Sequence, residues 1–229
     1  MKIISFKICP FVQRVTALLE AKKIPYEIEF IDLNNKPAWF LELSPHGQVP
    51  VLVTDNGVAL FESDAIVEYL EEALPPLEPN ISLEQKAINR AWSTLASKNY
   101  LAQCGAQRSA DESTLETRNE KLHQAFDKVE AQLGTSRYFG SENLGMVDIT
   151  WLTLLHRAHL VEQHSGYDFI GDRPKLKRRQ GELMKTGLAA KSVAPDFEDA
   201  FASFYLSDET YLGRGQNDCN APRTGKSCC

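Results

Sequence analysis

The chain has 229 residues, 43% of them hydrophobic and 24% charged, which is enough to bury a substantial core in one large domain or two modest ones. Its formal charge is −6, with 31 Asp and Glu against 25 Lys and Arg, and residues 1–78 carry the whole excess. An acidic chain without a basic face is a poor ligand for nucleic acid, and no apolar run approaches the ~20 residues of a membrane helix.

The first third alternates strand and helix. KIISF reads as a short buried strand, and PFVQRVTALLEAKK as a helix with Val12, Val15, Leu18 and Leu19 on one side. Pro10 suits the first turn of that helix, where a missing N–H costs nothing. PYEIEFIDL follows as a second strand, KPAWFLEL as a short helix, and SPHGQVP as a turn-rich loop. VPVLV and VALF form two strands about the turn Asp55-Asn56-Gly57, and ESDAIVEYLEEAL closes the block as an amphipathic helix. The expected order is βαβαββα within residues 1–78, ending at the Pro-rich linker Leu74–Asn80. Beyond it, residues 79–212 read as all helix: Leu83–Gln107, Glu112–Leu133, Val147–Glu162, Pro174–Thr186 and Phe197–Leu206. Residues 213–229 are polar, Gly-rich and aperiodic, and disorder is expected there.

The N-terminus lacks the features of a secretory signal, and the expected location is the reducing cytoplasm. The five cysteines (Cys9, Cys104, Cys219, Cys228 and Cys229) are odd in number and show no zinc-finger spacing. His156, His159 and Glu162 share a helix face without further ligands, so no metal is expected. The basic run Lys175–Arg179 is read as a solvated helix face.

Cys9 stands where the first strand hands over to a helix. Unpaired N–H groups and the positive end of the helix dipole would face its sulfur, so a lowered thiol pKa is expected; the alternative is a small buried hydrophobe. Some forty residues on, Val49-Pro50 opens the third strand, which should lie beside the first. A cis bond there would turn the Val49 backbone outwards, ready to pair with a peptide-like ligand. Glu62-Ser63 opens the next helix. Ser63 with the helix N–H groups can take a carboxylate and Glu62 an ammonium, or the pair is a simple cap with Asp64 in the first turn. A thiol, a backbone clamp, a carboxylate site and an ammonium site together describe a pocket for glutathione.

CPFVQR, NNKPAWF, HGQVPVL and ESDAIVEYL resemble, in order and spacing, the glutathione-binding domain of omega-class cytosolic glutathione transferases, and YFGSENLGMVDITWLTLLHR resembles the core helix of that family's second domain. The resemblance implies a thioredoxin-like α/β N-terminal domain, an all-α C-terminal domain and a homodimer. It implies that Cys9 is catalytic through a mixed disulfide with glutathione, favouring thiol transfer, dehydroascorbate reduction and removal of glutathione from adducts. By motif position Phe11 lines the glutathione cleft, Lys36 meets its glycine carboxylate, Val49 with Pro50 binds the cysteinyl backbone, and Glu62 and Ser63 take the γ-glutamyl group. Val12 stands where a dithiol glutaredoxin carries its second cysteine, so the mechanism reads as monothiol with external glutathione. Two positions depart from the family pattern. Gly145 replaces the usual Ser or Thr cap of the core helix, and Arg178-Arg179 stand where an aromatic lines the second-substrate pocket, which would favour an anionic or polar acceptor. Two other functions fit the same sequence: conjugation or dehalogenation of an electrophile, and a non-catalytic binding module.

Overall fold

The computed structural model describes residues 1–217, with side chains through Arg214. Its first 73 residues run β1 (Lys2–Ser5), α1 (Pro10–Lys22), β2 (Glu27–Phe30), α2 (Ala38–Leu43), β3 (Val51–Val53), β4 (Ala59–Phe61) and α3 (Ser63–Ala73), the expected order. The sheet order is β2-β1-β3-β4, with β1 parallel to β2 and the other pairs antiparallel. Alternation sets its two faces. Ile3 pairs with Leu52 and both join the main core with α1 and α3, whereas Ile4 pairs with Val51 and both pack with Phe40 of α2. The result is a small mixed sheet with helices on both faces, the thioredoxin-like arrangement.

The remainder is helical: α4 (Leu83–Ser97), α5 (Tyr100–Gln107), α6 (Glu112–Gln132), α7 (Met146–Ser165), α8 (Pro174–Lys185), α9 (Leu188–Lys191), α10 (Phe197–Tyr205) and α11 (Tyr211–Asn217). The single helix expected over Leu83–Gln107 is broken between α4 and α5. Buried Asn99 turns its amide onto the Leu95 carbonyl at 2.7 Å, competing with the backbone ladder. The expected disordered tail also begins too early, because α11 continues through Gly213 to Asn217; residues 218–229 lie outside the described part. Gly213 is required there, since a Cβ would stand 2.1 Å from the Ser207 carbonyl. Among the described residues no helix is long and apolar enough to cross a membrane.

Helix α7 is buried on nearly every side and accepts side-chain hydrogen bonds along its length. Tyr100 donates to the Thr150 carbonyl at 2.7 Å, Gln103 to that of Leu154 at 2.9 Å and Gln180 to that of Leu155 at 3.0 Å. Polar contacts also fasten α1: the Gln13 amide lies 2.8 Å from His156 Nδ1 of α7, and Thr16 Oγ1 donates to the carbonyl of Ser192, just after α9, at 2.6 Å. His156 stacks on Phe197, and burial pushes its pKa down to about 3, so it serves as a neutral strut of the core.

At Gly145 the space of a side chain is taken by Glu78, which would have to swing away to admit one. A Cβ at Gly145 would fall 2.5 Å from the Glu78 carboxylate, which comes up from the stretch between α3 and α4 and accepts from the Met146 N–H at 3.4 Å. Asp148 completes the cap, accepting from Gly145 N–H at 3.0 Å and Phe139 N–H at 2.9 Å. Burial nevertheless pushes its carboxyl up to about 6. Asp148→Ala orphans both N–H groups and is expected to cost about 2–3 kcal/mol in urea unfolding. An unchanged midpoint would show that the cap is dispensable.

Candidate active site

Cys9 is the N-cap residue of α1, and its own N–H closes the preceding turn onto the Phe6 carbonyl at 3.0 Å. With Pro10 at the first helical position, the next free N–H groups are those of Phe11 and Val12. Both favour the sulfur's anion, although neither closes a cap hydrogen bond of ordinary geometry. The thiol donates instead to the Val49 carbonyl at 3.9 Å, across a Val49–Pro50 bond that is cis. That hydrogen bond needs the proton on sulfur.

The expected lowering of the Cys9 pKa is therefore corrected. Removal of the sulfur from water outweighs the helix N–H groups, and the thiol is pushed up to about 11. The residue as a whole is half-buried and part of it reaches the surface, so the sulfur is enclosed without being sealed off.

The loop facing Cys9 is held by Ser44, whose hydroxyl donates to the Gln48 carbonyl and accepts from its N–H, both at 2.9 Å. Gly47 in this loop has φ 58°, and a Cβ there would meet Leu41 at 3.2 Å and the Lys36 ammonium at 3.5 Å. Lys36 is thereby placed against the loop. At the other end, Glu62 caps α3 with φ 66°, a left-handed conformation that a glutamate adopts at a cost of about 1 kcal/mol or more. The twist starts α3 at buried Ser63 and leaves the Glu62 side chain exposed. Arg14 fixes this end by pairing with Asp64, the residue after Ser63.

Phe11, Val49, Pro50, Glu62 and Ser63 line one cavity of about 70 Å³, together with Ser44, His46, Gln48 and Phe61. The structure thus gathers five of the expected glutathione contacts around one space; Cys9 is not in its lining but reaches the carbonyl of Val49, which is, and Lys36 lies by the adjoining loop. Sequence reasoning missed the loop clamp Ser44 and the wall residue Phe61, whose ring meets His46 at 6.0 Å. Their signals, a turn-rich loop and a strand end, did not point to them.

Arg178 and Arg179 lie elsewhere. Arg178 donates to the Thr135 carbonyl at 2.7 Å and Arg179, buried, to that of Ser136 at 2.9 Å, so both tie α8 to the stretch between α6 and α7. Lys177 pairs with Glu162 and Asp168, each at 2.7 Å; Lys175 and Arg178 stay exposed, so the run is a largely solvated face that also ties α8 to its neighbours, with Arg179 alone of its charges buried. The position beside Cys9 belongs to an apolar groove of about 420 Å³ between the β1–α1 turn and α10, lined by Phe6, Lys7, Ile8, Phe30 and Phe204 among others.

A buried, protonated thiol makes a kinetic prediction. Its fraction of thiolate should keep rising as pH climbs from 7 towards its folded pKa of about 11, so iodoacetamide should alkylate Cys9 faster at each step beyond pH 9. A plateau reached by pH 7 would contradict the dominance of burial.

The descriptions "Glutathione S-transferase, N-terminal domain" and "Glutathione S-transferase, C-terminal domain" match residues 8–73 and 112–178. Glutathione S-transferase omega-1 of Sus scrofa is 32% identical over 213 residues, 91% of this chain and 87% of the relative. The probable glutathione S-transferase DHAR1, cytosolic, of Oryza sativa subsp. japonica is 51% identical over a shorter stretch of 67 residues, 29% of this chain and 32% of the relative. Among solved structures, rice GST1 in complex with glutathione superposes with a TM-score of 0.77 at 22% identity, covering 92% of this chain and 96% of that one. The thiol at a helix head, the cis-proline loop facing it and the serine opening α3 therefore sit in a chain that belongs to the glutathione S-transferase family and is similar to its omega class.

Proposed function

We propose that this protein is a glutathione-dependent thiol transferase that works through a mixed disulfide on Cys9. The observation that carries the reading is the contact of the Cys9 thiol with the Val49 carbonyl at the wall of a cavity whose other end is Ser63. Glutathione would lie across it as an added strand, its cysteinyl N–H taking the Val49 carbonyl and its γ-glutamyl carboxylate taking Ser63 and the first N–H groups of α3. Glu62 would meet the ammonium, Lys36 the glycine carboxylate, and Phe11 the stem of the tripeptide. Occupation of the Val49 carbonyl by the ligand takes away the acceptor that favours the protonated Cys9, which eases ionisation on binding.

The exchange balances as two displacements. The Cys9 thiolate attacks the glutathionyl sulfur of a mixed disulfide RS–SG, forming Cys9–S–SG and releasing RS⁻, which takes up a proton. A glutathione thiolate then attacks the Cys9–S–SG bond, restores the Cys9 thiolate and leaves as oxidised glutathione. Reduction of dehydroascorbate, at the expense of two glutathiones, belongs to the same proposal and is supported by the DHAR relatives. The acceptor is assigned to the apolar groove by Phe6, Ile8 and Phe204, whose lining suits an uncharged organic group. A homodimer and a cytosolic setting complete the proposal; the free thiols of Cys9 and Cys104 suit a reducing compartment.

Cys9→Ser is expected to lose more than a hundredfold of glutathione-dependent reduction of a small model disulfide while still binding immobilised glutathione. Turnover unaffected by the substitution would remove Cys9 from the mechanism and favour conjugation to an apolar electrophile in the same groove. Ser63→Ala is expected to raise the KM for glutathione about tenfold, equivalent to ~1.4 kcal/mol, with kcat nearly unchanged. An unaltered KM would make Ser63 a helix cap only.

A further inference from the structure

Arg157 of α7 is fully buried, yet no ion pair among the described residues involves it. Its guanidinium has neutral neighbours only. Nη1 donates to Gln13 Oε1 and, at 3.3 Å, to the Thr153 carbonyl; Nη2 donates to the Ile8 carbonyl at 3.2 Å. The Phe197 ring centroid lies 5.5 Å away, and Nε has no hydrogen-bond partner. An interior charge without a counter-ion is among the costliest features a fold can hold, and an apolar side chain of similar size would fill the space more cheaply.

The titratable groups that act on it come from α1, α5 and α10 and from α7 itself, the Cys104 thiol most strongly, then Tyr205, then Cys9. They are Cys9 at the head of α1, Tyr100 and Cys104 on α5, Tyr205 on α10, and His156 on α7 itself. None is a permanent anion. Four of them are acids that become anions on losing a proton, and Cys104 acts on Tyr205, disfavouring its anion. The guanidinium's own hydrogen bonds single out the head of α1. Ile8 is the residue before Cys9, and Gln13 is one turn along, with its N–H on the Cys9 carbonyl at 3.2 Å.

We propose that Arg157 is a positioning residue for the thiol chemistry: a buried cation, held without a carboxylate, whose missing counter-ion is the anion that forms at the Cys9 sulfur. The proposal rests on the reading of Cys9 as the nucleophile. Within a dry interior the charge is poorly screened, so it acts on the sulfur across the intervening backbone and offsets part of the cost of burial. A carboxylate beside Arg157 would make a more stable protein and a less reactive thiol. The polar contacts with Gln13 and the two carbonyls orient the guanidinium without neutralising it.

The test is peptide-resolved alkylation of Cys9 by iodoacetamide at pH 8 in the full-length protein, without glutathione. Wild type would be compared with Arg157→Gln, which keeps a donor for the Ile8 carbonyl, with Arg157→Met, and with Arg157→Lys, which keeps the charge; thermal melts come first. A rise of one pKa unit removes about tenfold of thiolate, and the more basic sulfur recovers about threefold of that in intrinsic reactivity. The expected result is a loss of at least about threefold in the Gln and Met variants, a Lys variant within about twofold of wild type, and folded proteins throughout. A folded neutral variant alkylated at the wild-type rate overturns the proposal. So does an equal loss in the Lys variant, or failure of both neutral variants to fold, which would make Arg157 a structural strut. Should Cys9→Ser retain thiol transfer, the reading of the site fails while this ionisation measurement keeps its meaning, since it uses neither glutathione nor turnover.

Discussion

Helix α1 is enclosed along most of its length, with Pro10 and every residue from Val12 to Leu19 buried between the sheet and α7. Apolar residues can fill such a position by shape alone, but three polar ones cannot. Gln13, Arg14 and Thr16 each need partners in the interior, and they find them on α7, on α3 and in the turn after α9. These contacts fix the helix in rotation and along its axis. The sulfur at its head is consequently located by the packing of the whole molecule, which loop-borne nucleophiles are not.

The same enclosure explains which parts of the site the sequence disclosed. Short apolar runs in KIISF and VPVLV, Pro10 at a helix start and Ser63 at another are local signals, and the local structure follows them. Burial is not local. Nothing in CPFVQR tells how much water is removed from the sulfur by side chains distant in the chain, so an argument from the helix dipole alone had the wrong sign for Cys9. Arg178 and Arg179 failed for the related reason that a helix's face is chosen by its neighbours. Carbonyls at Thr135 and Ser136 claimed both guanidinium groups. At Asn99 a residue acceptable within a helix used its amide against the ladder, and at Gly213 a glycine that reads as loop was needed where two backbones touch.

Two spaces of different character lie on either side of the head of α1, one lined by Phe11 and the other by Phe6 and Ile8. The cavity towards α3 is small, walled by backbone and by residues that suit a charged peptide; the groove towards α10 is larger and apolar. A reaction that joins one constant polar partner to a varied second one calls for such a division. The constant partner can be held by short, fixed contacts, whereas the other needs surface that adapts. Arg108 stacks over Phe204 at 4.3 Å, and Lys7 and Asp32 stand in the groove's lining, so charged groups border its apolar wall.

The link from Glu78 to the head of α7 bears on how chains of this kind recombine. The stretch between α3 and α4 looks like a free seam at which one N-terminal half could be exchanged for another. Yet the carboxylate of Glu78, on the near side of that seam, accepts from the N–H of Met146 and from the side-chain amide of Asn89 on the far side. A crossover placed before residue 78 keeps donor and acceptor together; one placed after it leaves the Met146 N–H without its acid, with Asp148 alone to cap α7, unless the incoming half brings an equivalent. Viable hybrids of this protein with its relatives should therefore carry their junction upstream of Glu78, and the residue at that seam should travel with the helical half.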